Sequence, residues 1–180
     1  RTGGAEAEVD TVYLGVFDRL QIEAVGLFDE RLIRNQDYEL NIRLRAAGAT
    51  VVFDPGLCVG YVPRGSWRAL SLQYFEYGWW KAEVLKMHPS SLRLRQLIAP
   101  IGVVAVVVAV VVGVQWRVAW LIPATYGAVL LSVGNGSTRA RTAGVVATIH
   151  GAWTWGLIRA VARWCSGNRK SAEPAKPPQR

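Results

Sequence analysis

The chain has 180 residues, 51% of them hydrophobic, and its 21 Lys and Arg against 13 Asp and Glu give a net charge of +8. Two distant cysteines, Cys58 and Cys165, and two isolated histidines, His88 and His150, exclude a disulfide framework and offer no zinc constellation. The basic residues gather around the apolar runs and in the tail, a distribution that fits anionic lipid headgroups better than nucleic acid, for which no motif is present.

The first well-defined element is a helix within Asn35 to Gly48. Leu40, Leu44 and Ala47 recur at helical spacing, Glu39 and Arg43 sit four apart, the arginines fall in the last turn, and Gly48 is a stop signal. Asp37 is thereby placed at a helix N-terminus. The helix dipole and free backbone N–H groups stabilise a carboxylate there as the anion, which suits either a structural cap or a general base.

A second helix is predicted from Ser66, a plausible N-cap, to His88, with Pro89 as its stop. Its aromatics, Trp67, Tyr74, Phe75, Tyr77, Trp79 and Trp80, suit either a helix in the membrane interface or one packed on a domain core. Arg64, just before it, offers either a planar fork of donors for a diphosphate or an ordinary surface arginine in a turn.

Residues 97–114 carry no charge and are dominated by valine, and after Gln115-Trp116-Arg117 a second apolar run covers 118–133. Each approaches the roughly 17 to 25 residues needed to cross a bilayer core, and neither is interrupted to make a solvent face. Lys86, Arg93 and Arg95 before the first run, and Arg139 and Arg141 after the second, favour a hairpin with both ends in the cytoplasm. A third segment, 143–164, includes His150, three tryptophans, Arg159 and Arg163, so it reads either as a further membrane-embedded segment or as an interfacial helix. Residues 165–180 read as a disordered basic tail.

The run Asn35-Gln-Asp-Tyr-Glu-Leu-Asn-Ile-Arg-Leu-Arg-Ala-Ala-Gly48, followed by Val51-Val-Phe-Asp-Pro55, Tyr61-Val-Pro-Arg64 and Gln73-Tyr-Phe-Glu-Tyr-Gly-Trp-Trp80, resembles the second half of a family 2 glycosyltransferase of the bacterial succinoglycan and exopolysaccharide type. Residues 9–17 and 23–30 are similar to the strand, helix and turn that precede the base in that family, and the resemblance covers about residues 9–89. It implies an α/β fold, the second half of a GT-A domain, followed by a helical membrane region. The boundaries expected are 1–64 for the GT-A half, 65–96 for an interface helix and connector, 97–164 for the membrane region and 165–180 for the tail.

The resemblance also implies roles. In the family the second acid of a Glu-Asp pair is the base, and the matching pair here is Gln36-Asp37, so Asp37 is the expected catalytic residue. Gln36, Arg64, Gln73, Trp79 and Trp80 are the expected substrate-binding residues, although Gln73 and the tryptophans depart from the Gln-X-X-Arg-Trp spacing of processive synthases. A divalent metal, Mg or Mn, is expected for a full-length enzyme. Its Asp-X-Asp motif does not occur in this chain, since Glu6-Ala-Glu8 lies in a Gly/Ala-rich start and Asp37-Tyr-Glu39 is helical, where residues two apart do not share a face.

The implied partners are a nucleotide-sugar donor, a lipid-linked or polysaccharide acceptor and membrane lipids, at the bacterial inner membrane with the catalytic part cytoplasmic. The chain opens on Arg1 and is expected to be the C-terminal portion of a longer enzyme, inactive without the nucleotide-binding half. The alternative is a non-catalytic membrane anchor or assembly subunit. A transporter fits less well, because apart from His150 the spans hold almost no ionisable residue.

Overall fold

The computed structural model describes residues 5–12 and 14–166, which fall into two compact units meeting in sequence at Pro63 and Arg64.

In the first unit β1 (Ala7–Glu8) pairs antiparallel with β2 (Val52–Phe53) in the register Ala7 opposite Phe53, and the Val9 N–H extends the ladder to the Val51 carbonyl at 2.9 Å. The remaining described residues of 9–17 form no strand. A strand persists only where neighbouring backbone pairs with it, and among the described residues no second strand is laddered to this stretch. A short helix α1 (Arg19–Ala24) follows, capped by the Asp18 carboxylate, which accepts from the Gln21 N–H at 3.1 Å.

Helix α2 (Gln36–Ala46) is the spine of this unit. Its Leu40 and Leu44 are buried with Leu32, whereas Ala47 lies outside the helix and is exposed. The helix ends in a Schellman motif: the Ala49 N–H reaches the Leu44 carbonyl at 3.0 Å, the Gly48 N–H reaches that of Arg45 at 3.1 Å, and Gly48 takes a φ of +91°.

The second unit is helical. Helix α3 (Trp67–Met87) begins at Ser66, whose hydroxyl accepts from the Ala69 N–H at 3.2 Å, and stops before Pro89. Helices α4 (Ile98–Val112) and α5 (Leu121–Val133) are joined by a turn in which the Trp120 indole N–H donates to the Gly113 carbonyl at 3.2 Å. With its preceding turn, Leu94–Val112 is the one stretch among the described residues long and apolar enough to cross a membrane, and only 11% of it is buried. The Thr125 and Ser132 hydroxyls of α5 bond back to their own helix, Thr125 to the Leu121 carbonyl and Ser132 to that of Val129, both at 2.7 Å, whereas the Tyr126 hydroxyl reaches His150 Nδ1 on the C-terminal helix at 2.8 Å.

Helix α6 (Arg139–Cys165) packs chiefly on α3 and also meets α4 and α5. The α3–α6 pair is parallel, because Trp67 adjoins Gly144, Gly78 adjoins Trp153, and Glu83 hydrogen-bonds Trp164. Backbones nearly touch at mid-length: a Cβ on Gly78 would lie 2.0 Å from the Trp153 carbonyl oxygen, and one on Gly156 2.1 Å from that of Phe75. Ala82 and Ala160, each four residues further on and fully buried, continue the two small-residue seams.

Candidate active site

Asp37 occupies the second position of α2, since Asn35, in the left-handed conformation at φ 61°, stands at the N-cap without a side-chain capping bond. The Asp37 Oδ1 accepts from the Tyr38 N–H at 2.8 Å, satisfying one of the helix's free amides, while its second oxygen has no hydrogen bond among the described residues. The carboxylate is half-buried. Such a first-turn carboxylate suits a structural role and a general base alike. Gln36 is turned back to the chain that enters the helix, its amide N–H donating to the Leu32 carbonyl.

The surroundings hold α2 in place. Glu39, 2% exposed, takes a two-pronged ion pair from Arg43 at 2.7 and 2.8 Å, and the same guanidinium donates to the Val25 and Leu27 carbonyls. That single side chain clamps the turn after α1, where Gly26 and Leu27 both have positive φ, onto the helix that carries Asp37. Arg45 pairs with Asp10 at 3.3 Å on the other flank. Asp29 is lowered to about 2, chiefly by hydrogen bonding from the Arg31 guanidinium at 2.7 to 3.2 Å.

A cleft of about 510 Å³ lies beside α2, lined by apolar residues that include Leu14, Phe17, Val52 and Leu57 together with Asn41, Asp18 and Asp54. Asn41 is 1% exposed; its amide N–H donates to the Thr11 hydroxyl at 2.9 Å, and its Oδ1 has no partner among the described residues. Asn41 was not legible as a site residue in the sequence, since only burial sets it apart from a surface asparagine.

The other expected site residues belong to the second unit. Arg64 donates to Gln73 Oε1 at 3.3 Å, and Gln73 donates to the Tyr77 hydroxyl at 3.0 Å, so these form one chain of polar groups. Tyr77, one helical turn beyond Gln73, could have been found from that spacing. Trp79 and Trp80 are buried, 5% and 7% exposed, and Arg163 stands 5.5 Å over the Trp79 ring. Trp79 is thus covered by its α6 partner. Among the described residues no three His, Cys, Asp or Glu side chains are grouped to hold a metal ion, so they do not fit a divalent cation and no step here runs through one.

Over 144 residues the chain is 34% identical to the succinoglycan biosynthesis protein ExoA of Rhizobium meliloti (strain 1021). The chain is similar to a succinoglycan biosynthesis protein. The match takes in 76% of this chain and 43% of ExoA, so the chain spans less than half the length of that relative. No family model and no solved structure matches the chain.

Proposed function

We propose that this chain is the acceptor-side and membrane portion of an inverting, family 2 glycosyltransferase of exopolysaccharide synthesis, with Asp37 as its base. The similarity to ExoA is the observation that carries this reading, and the half-buried carboxylate at the start of α2 supports the assignment of the base. Asp37 takes the proton from an acceptor hydroxyl as that oxygen attacks the anomeric carbon of a nucleotide sugar. The bond from that carbon to the nucleotide diphosphate breaks, the diphosphate leaves with the electron pair, and the configuration inverts. Arg64, held by Gln73, is suited to bind phosphate oxygens, and Gln36 to bind a sugar hydroxyl.

The incomplete α/β part is the second half of a GT-A domain. Its two-residue strands and the apolar cleft beside α2 support that reading, because a sheet so short has edges and a face left to cover. On this reading the α4–α5 hairpin, whose two helices carry no charge and whose turn holds Arg117, crosses the bacterial inner membrane with the basic residues at its ends and the catalytic part in the cytoplasm. That location matches a nucleotide-sugar donor and a lipid-linked or polysaccharide acceptor.

The test is Asp37→Asn in the full-length protein in native membranes, with transfer from a radiolabelled nucleotide sugar as readout. Turnover is expected to fall by about 10²–10⁴-fold, with donor binding and helical content unchanged. More than about a tenth of the activity remaining would exclude Asp37 as the base, and a full-length protein with no transfer activity would favour a membrane anchor or assembly subunit.

A further inference from the structure

The parallel α3–α6 pair brings basic and indole side chains together at one end. Lys86 Nζ lies 5.9 Å from the centre of the Trp164 ring, whose N–H donates to Glu83 at 3.2 Å. Arg163 stands over Trp79, and Arg159 stands 5.8 Å over Trp155. Trp155, Ile158 and Val161 leave an exposed apolar strip along the same half of α6, beside exposed Arg159 and Lys86.

Each part of this surface fits a lipid headgroup region. Tryptophan prefers the depth of the headgroups, and the exposed Arg159 guanidinium above the Trp155 face is suited to donate from its edge to phosphate oxygens. The amphipathic character matters, because α6 with its arginines is not apolar enough to count as a span whereas Leu94–Val112 is. The Gly78 and Gly156 contacts fix the two helices at close range, so Lys86 and the α6 arginines are presented together.

We propose that the C-terminal halves of α3 and α6 form a docking face for anionic phospholipid, with Lys86 and Arg159 meeting phosphate and Trp155, Ile158 and Val161 entering the acyl boundary. The proposal rests on the membrane placement of α4 and α5 above. It makes α6 an interfacial helix that selects lipid by charge.

The experiment reconstitutes the whole chain into phosphatidylcholine vesicles containing equal fractions of brominated phosphatidylglycerol or brominated phosphatidylcholine, and compares quenching of tryptophan fluorescence. Brominated phosphatidylglycerol is expected to quench more strongly, with the preference shrinking in high salt. Each basic side chain removed should lower the preference by up to about fivefold, so K86Q/R159Q should lower it markedly while K86R/R159K keeps it. Equal quenching by the two lipids, or a preference retained by the glutamine variant, would overturn the proposal. Flotation with vesicles separates the two readings: a chain that floats without lipid preference defeats only the docking face, and one that floats with neither vesicle type defeats the membrane placement as well.

Discussion

Arg43 is spaced to pair with Glu39 on the helix surface, yet its side chain does more than an exposed pair could. Because Glu39 is almost fully buried and Arg43 also satisfies two carbonyls of the Val25–Leu27 turn, removing either charge breaks a pair with at least one member shielded from water. Glu39→Ala should therefore cost about 1.5–3 kcal/mol, read by chemical unfolding, whereas the exposed Arg19–Glu23 pair should contribute less than about 1 kcal/mol. Asp29 gives a pH signature. Its carboxyl is lowered from 3.8 to about 2, so its stabilisation is fully present above the unfolded value and is lost as pH falls through the folded one. Asp29→Asn should flatten the acid limb between about pH 4 and pH 2, measured by circular dichroism. The i,i+4 spacing was legible in the sequence. The carbonyl contacts were not, because they join residues 16 and 18 apart through a turn whose conformation the sequence leaves open.

At the scale of elements, the α3–α6 seam makes glycine position decisive. Gly78→Ala puts a methyl where the Trp153 carbonyl already stands, so the helices must separate, with an expected loss of at least about 1–3 kcal/mol in thermal unfolding in detergent. Gly151 lies on the same helix as Gly156, but a methyl added there would meet nothing within 4 Å, so it should behave oppositely. Gly151→Ala is expected to stabilise by about 0.5–1 kcal/mol through reduced backbone freedom in the unfolded chain. The α3 limits were readable from Ser66 and Pro89, and the α2 stop from Gly48, since caps are local chemistry. Which face of α3 is covered was not, because its aromatics surround the helix and serve an interface or a protein partner equally well.

For the whole molecule, the exposed valines of α4 distinguish lipid from water as solvent. Val107 is 59% exposed in the chain, and Val107→Arg should be almost neutral on a soluble surface. In a bilayer core the same change costs about 2.5–3.5 kcal/mol, so membrane-integrated protein should fall sharply when fractions are compared after carbonate washing. A wild-type level of integration would remove α4 as a span.

The sequence by itself determined the apolar runs, the helix that carries Asp37, its Gly48 stop and the charge balance, because composition, period and helix stops act over a few residues. Only the tertiary structure decided that Arg43 closes the turn onto α2, that Asn41 is buried beside a cleft, that Arg64, Gln73 and Tyr77 form one polar chain, and that α3 and α6 run parallel at glycine contact distance. Those facts depend on residues far apart in sequence meeting in space. Their energies come from burial and close approach, which no local pattern encodes.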